Sequence, residues 1–139
     1  MFYAGQSGSW ALEDLLVILV IEDDQSIQGL IEEALTDGGF EPAIAPSGEE
    51  AVTLLKGGLI KYRALVTDIG LRGRMDGWEV AKQARDLDPE FPIVYMTGAH
   101  ADQWASQGVP SSILLIKPFA PAQLVTAVSQ LLNSGTPTT

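Results

Sequence analysis

Leu15-Leu16-Val17-Ile18-Leu19-Val20-Ile21-Glu22-Asp23-Asp24 is the stretch that decides the fold. Seven apolar residues run without a polar break, and three acids follow at once. A continuous run of β-branched and leucine residues suits a strand buried on both faces, as strands of parallel sheets are. The run is too short to cross a bilayer. It lacks a basic flank and a small-residue cleavage site, so it is not a signal peptide.

Working outward, apolar runs alternate with helical patterns. Ile27, Leu30, Ile31, Ala34 and Leu35 repeat at helical spacing until Gly38-Gly39. Ala43-Ile44-Ala45 is a weak strand. Ser47 and Glu50 form a capping box for a helix carrying Ala51, Leu54 and Leu55, which ends at Gly57-Gly58. Ala64-Leu65-Val66-Thr67 is a third strand running into Asp68. A helix with Val80, Ala81, Ala84 and Leu87 closes before Pro89. Ile93-Val94-Tyr95-Met96 and Ile113-Leu114-Leu115-Ile116 are the fourth and fifth strands, and residues 101–107 between them make a short helix with a thin apolar face. The last helix presents Leu124, Val125, Val128, Leu131 and Leu132. This alternation predicts an α/β fold: a doubly wound, five-stranded parallel sheet of order 2-1-3-4-5, a flavodoxin-like three-layer sandwich.

The bulk numbers fit one such domain. The 139 residues hold one core, expected over residues 13–133, between tails at 1–12 and 134–139, with Trp10 as a docking group of the first tail. Apolar residues make up 46%, the globular norm. A formal net charge of −10 argues against nucleic acid, whose phosphates need Lys and Arg, and against an anionic membrane surface. The absence of cysteine rules out disulfides and thiolate metal sites. The chain reads as cytoplasmic. No output domain is expected after the last helix.

In an open α/β sheet, ligands bind at the carboxyl ends of the strands. Glu22, Asp23 and Asp24 follow the first strand, Asp68 the third, Thr97 the fourth and Lys117 the fifth. Each has an ordinary explanation alone, and Asp24 reads as a helix N-cap. Together they form a pattern that ordinary strand ends explain poorly. Crowded carboxylates repel, and a hard divalent cation such as Mg²⁺ relieves them. Glu22, Asp23 and Asp68 are the expected metal ligands, with the Gly70 carbonyl as a further oxygen. A cation beside Asp68 would let that carboxylate attack a phosphoryl group. Lys117 and the Thr97 hydroxyl would then meet the phosphate oxygens.

These residues, in this order, resemble the receiver domain of bacterial two-component response regulators. The matching stretches are 17–24, Leu65-Val66-Thr67-Asp68, Met75-Asp76-Gly77-Trp78-Glu79, Met96-Thr97-Gly98-Ala99 and Lys117-Pro118-Phe119. The resemblance implies that Asp68 is the phosphoacceptor, Asp23 a direct metal ligand and Glu22 one acting largely through water. It makes Lys117 and Thr97 the lysine and switch hydroxyl, and Lys117-Pro118 a cis peptide bond. The implied donor is a phosphohistidine on a sensor histidine kinase or histidine phosphotransfer protein. The module would promote its own phosphorylation and dephosphorylation, act on a downstream protein target, and be a monomer or weak homodimer.

Two departures stand out. The loop Ile69-Gly70-Leu71-Arg72-Gly73-Arg74-Met75-Asp76-Gly77 is one residue longer than the family's commonest version, with Arg72 where proline is usual. Leu114 occupies the family's aromatic switch position, so Tyr95, His100 and Trp104 are the groups left to move near the fourth helix. The other reading is a metal-dependent phosphatase with an aspartyl nucleophile. It would need a second catalytic acid soon after Asp68 and a substrate cap, and a non-phosphorylatable scaffold would not need the acid, hydroxyl and lysine set.

Overall fold

The unbroken apolar run becomes a strand because both of its faces meet a helical layer. In the computed structural model, which describes residues 15–134, strand β1 spans Val17–Ile21. Ile18 and Val20 pack with Ile31, Leu35 and Leu124 on one side. Leu19 and Ile21 pack with Ala51, Trp78 and Val80 on the other. All four strand residues are fully buried. The strand starts at Val17 and not at Leu15, although the Leu16 carbonyl still accepts a hydrogen bond from Glu41 N at 2.9 Å.

The remaining elements follow in strict alternation: α1 (Gln25–Asp37), β2 (Glu41–Ala45), α2 (Gly48–Gly57), β3 (Tyr62–Asp68), α3 (Gly77–Leu87), β4 (Ile93–Thr97), a 3₁₀ turn (Ala101–Gln103) leading into the one-turn α4 (Trp104–Gln107), β5 (Ile113–Ile116) and α5 (Pro121–Ser134). The sheet order is β2-β1-β3-β4-β5, and every pairing is parallel. Helices α1 and α5 cover one face and α2 and α3 the other. This is the expected doubly wound, flavodoxin-like sandwich.

Local chemistry sets the helix ends. Asp24 caps α1 by accepting from Ser26 N and Ile27 N, as its position predicts. Ser47 caps α2 through its hydroxyl, which accepts from Glu50 N at 3.2 Å. Asp76 caps α3 by accepting from Glu79 N. The thin apolar face of residues 101–107 yields only a short helical turn, pinned where Trp104 Nε1 donates to Ser112 Oγ at 3.0 Å. Helix α5 includes Ser134, assigned to the polar tail from composition; its hydroxyl donates to the Leu131 carbonyl and satisfies a helix end. Residues 1–14 and 135–139, and with them the docking role read for Trp10, lie outside the described residues. No helix among the described residues is long and apolar enough to cross a membrane.

Candidate functional site

Parallel register brings the expected residues to one edge. Ile21 pairs with Thr67, Asp68 with Met96, and Thr97 with Ile116, so the strand ends stand level. Glu22 follows β1 directly, Asp68 ends β3, Thr97 ends β4 and Lys117 follows β5. Glu22, Asp23 and Asp68 each offer a carboxylate oxygen, all within 4.8 Å of one another. Asp24 is not in this group, since its side chain is engaged in the cap.

One cation, Lys117, bridges two members of the cluster. Lys117 Nζ lies 2.9 Å from Glu22 Oε1 and 3.3 Å from Asp68 Oδ2. Glu22 is 1% exposed, and its second oxygen accepts from Asp24 N at 3.2 Å. Burial pushes the Glu22 carboxyl above the usual glutamate value; the Lys117 hydrogen bond opposes this and the Asp68 charge adds to it. Burial also works against the Lys117 ammonium, but the Glu22 hydrogen bond and the Asp68 charge outweigh it and hold the lysine above its usual value. The Lys117 ammonium and the exposed Arg72 guanidinium against three carboxylates still leave the cluster short of positive charge. Its donor atoms are all oxygens. Such a set fits a hard divalent ion of the Mg²⁺ class better than a softer metal.

The loop after Asp68 is shaped by the start of α3. Ile69 O accepts from both Leu71 N and Gly77 N at 3.0 Å. That carbonyl is engaged, and Gly70 carries the next one. A Cβ on Gly77 would run into the Asp68 carbonyl oxygen and come within 2.9 Å of Ile69 Cα. Only glycine lets α3 start this close to Asp68. Where the family usually has proline, Arg72 N donates to Asp23 Oδ2 at 3.2 Å, and its exposed guanidinium stands 3.6 Å from the same oxygen.

Thr97 is 1% exposed. Its hydroxyl accepts from Ala99 N at 3.1 Å and His100 N at 2.8 Å, which ties it to the turn before α4. Gly70 does not face open space: a Cβ built there would lie 3.4 Å from His100 Nε2. Lys117-Pro118 is cis, as the resemblance implies. Tyr95 is core, fully buried with its ring 4.7 Å from that of Trp78, and its hydroxyl accepts from Val109 N. Leu114 packs against the same core.

Two participants escaped the sequence reading. Gln28 Nε2 donates to the Glu22 carbonyl at 2.6 Å. Glu49 accepts from Arg74 N at 2.9 Å. An acid in a first helical turn looks like a solvated, dipole-favoured residue. Only the folded path of the loop gives it a partner.

The profile of the response regulator receiver domain matches residues 18–129. The chain belongs to that family. Among relatives of this receiver domain, response regulator MprA of Mycolicibacterium vanbaalenii is 30% identical over 122 residues, covering 86% of this chain and 52% of that protein. The probable transcriptional regulator ycf27 of Cyanophora paradoxa is 30% identical over 118 residues, covering 84% and 48%. The chain thus spans about half the length of the curated relatives it matches. A response regulator receiver protein from Sinorhizobium medicae superposes with a TM-score of 0.85 at 47% identity, covering 88% of this chain and 98% of that one. The receiver domain of sensor histidine kinase PA1611 from Pseudomonas aeruginosa, solved with magnesium in its active-site cleft, shares the fold at a TM-score of 0.73 and 23% identity, covering 86% and 98%. The chain is therefore a receiver domain of two-component signalling, and its three clustered carboxylates could hold a metal ion.

Proposed function

We propose that Asp68 accepts a phosphoryl group, with Mg²⁺ held by Glu22, Asp23, Asp68 and the Gly70 carbonyl. The observation that carries this reading is the meeting of three carboxylate oxygens within 4.8 Å beside a lysine that contacts two of them. When bound, the metal neutralises charge on the incoming phosphoryl oxygens. The chain does the rest. Asp68, at the end of a rigid central strand, presents a carboxylate oxygen for in-line attack on phosphorus. The P–N bond of a phosphohistidine donor breaks, its imidazole leaves with the electron pair and takes a proton, and an acyl phosphate forms on Asp68. Lys117 turns from its carboxylate partners toward the new phosphoryl oxygens. Thr97 donates its hydroxyl proton to another, which disturbs the turn it now caps before α4. The donor is a sensor histidine kinase or histidine phosphotransfer protein. The readout is a protein-contact surface around α4, β5 and α5, and the module promotes both gain and loss of its own phosphoryl group in the cytoplasm.

Incubation with Mg²⁺ and a small phosphodonor, followed by intact mass measurement, tests this. Wild type should gain one hydroxylamine-labile phosphoryl group, and Asp68→Asn should gain none. Steady turnover of a phosphate ester without an adduct would instead favour the phosphatase. An adduct that persists in Asp68→Asn would move the acceptor elsewhere.

A further inference from the structure

The loop between β3 and α3 lacks the usual proline and carries an extra residue, so something else must hold it. Two carboxylates do so, one just after β1 and one in the first turn of α2. Asp23 takes Arg72 N, and Glu49, in the first turn of α2, takes Arg74 N at 2.9 Å. Between them Gly73 adopts φ +98, and a Cβ there would sit 2.9 Å from Glu49 Oε2 and 3.1 Å from Oε1. The turn is moulded over the carboxylate, and Glu49 Oε1 is sealed from solvent. The preceding Gly48 lets α2 press on the same loop, since a Cβ there would come within 2.9 Å of the Met75 carbonyl oxygen. A carboxylate accepting a main-chain N–H makes a strong, directional bond. The Arg74 N–H, helped by the backbone N–H of Glu49 itself, holds the Glu49 carboxyl below the usual range.

We propose that Glu49 is a positioning residue for the metal centre: it fixes the Arg72-Gly73-Arg74 turn, and through it the Gly70 carbonyl and the contact to Asp23. The proposal rests on the reading of Glu22, Asp23 and Asp68 as metal ligands. Glu49 is not a member of the carboxylate cluster. It acts as outer-shell partners of a metal ligand do, whose loss costs about 10–100-fold in affinity.

Calorimetric Mg²⁺ titration of the full chain, paired with thermal melting, tests this on wild type, Glu49→Ala and Glu49→Gln. Glu49→Ala should bind Mg²⁺ about tenfold more weakly. Glu49→Gln keeps an oxygen that accepts from Arg74 N, and should stay within about threefold of wild type. Equal losses in both variants would assign the effect to charge and overturn positioning. So would wild-type affinity in Glu49→Ala with only a lowered melting temperature. If Glu49→Ala does not fold, Gly73→Ala displaces the turn while keeping the charge, and should weaken Mg²⁺ binding; unchanged binding there overturns the proposal. A wild type that binds no Mg²⁺ would sink the metal reading and this one together, whereas binding by wild type with no effect of Glu49→Ala sinks this one alone.

Discussion

Glu22 is where stability and function pull apart most clearly. Its carboxyl is raised above 4.5 by burial, so the folded state keeps a proton that the unfolded chain has released. Stability therefore falls as pH rises from about 4.5 through the raised folded value. Glu22→Gln removes that loss. Its melting temperature at neutral pH should equal or exceed that of wild type, and should decline less from acid toward neutrality. Its Mg²⁺ affinity should fall by about tenfold or more. Melting curves across that range and a Mg²⁺ titration check both halves. Lys117 has the same sign in a higher window: its raised value means its contribution is present below 10.5 and is lost only as pH climbs through the higher folded value. Lys117→Met strands a buried Glu22, and a buried pair broken on one side costs about 3–5 kcal/mol. The cost here should be smaller, because Lys117 is 21% exposed and Glu22 can protonate. The adduct on Asp68 should still form, which intact mass after phosphodonor treatment would show. At this scale the split between Asp24 as a cap and Glu22 with Asp23 as cluster members was legible in the sequence, because capping is local chemistry. Glu49 was not legible: its partner lies 25 residues away, along a loop whose path no local pattern dictates.

Among the elements, the start of α3 bears most directly on Asp68. Gly77→Ala would drive a methyl group into the Asp68 carbonyl, and overpacking of this kind costs about 1–3 kcal/mol. Relief requires Ile69 and Asp68 to shift, so Gly77→Ala should lose Mg²⁺ affinity as well as stability. Asp76→Ala, which removes only the cap, should cost about 1 kcal/mol and leave Mg²⁺ affinity close to wild type. Denaturant melts and Mg²⁺ titrations of the two variants separate these cases. The strands were readable as elements because β1, β4 and residues 64–66 of β3 are buried on both faces, and β5, though an edge strand with only Leu115 buried, is wholly apolar. Their edges were less so. β3 begins at Tyr62 and not at Ala64, because exposed Arg63 breaks the apolar run while Tyr62 still buries its ring. The β3–α3 loop was visible as an insertion, but its hold on Asp23 and Glu49 is tertiary.

For the whole molecule, topology does the assembling. A parallel sheet with level strand ends collects residues from positions 22, 68, 97 and 117 at one edge. The sequence order of β-α units was enough to anticipate this, since right-handed crossovers leave few arrangements. Which carbonyl, cap and side chain complete the edge had to come from packing. The central claim is that Asp68 itself becomes the acyl phosphate. Borohydride reduction of the phosphodonor-treated protein, followed by peptide mapping, tests it most directly, because reduction converts an aspartyl phosphate to homoserine. Homoserine at position 68, in the presence of Mg²⁺ and not after its chelation, is the expected result. Homoserine at another aspartate, or none in a protein that has gained phosphoryl mass, would contradict it.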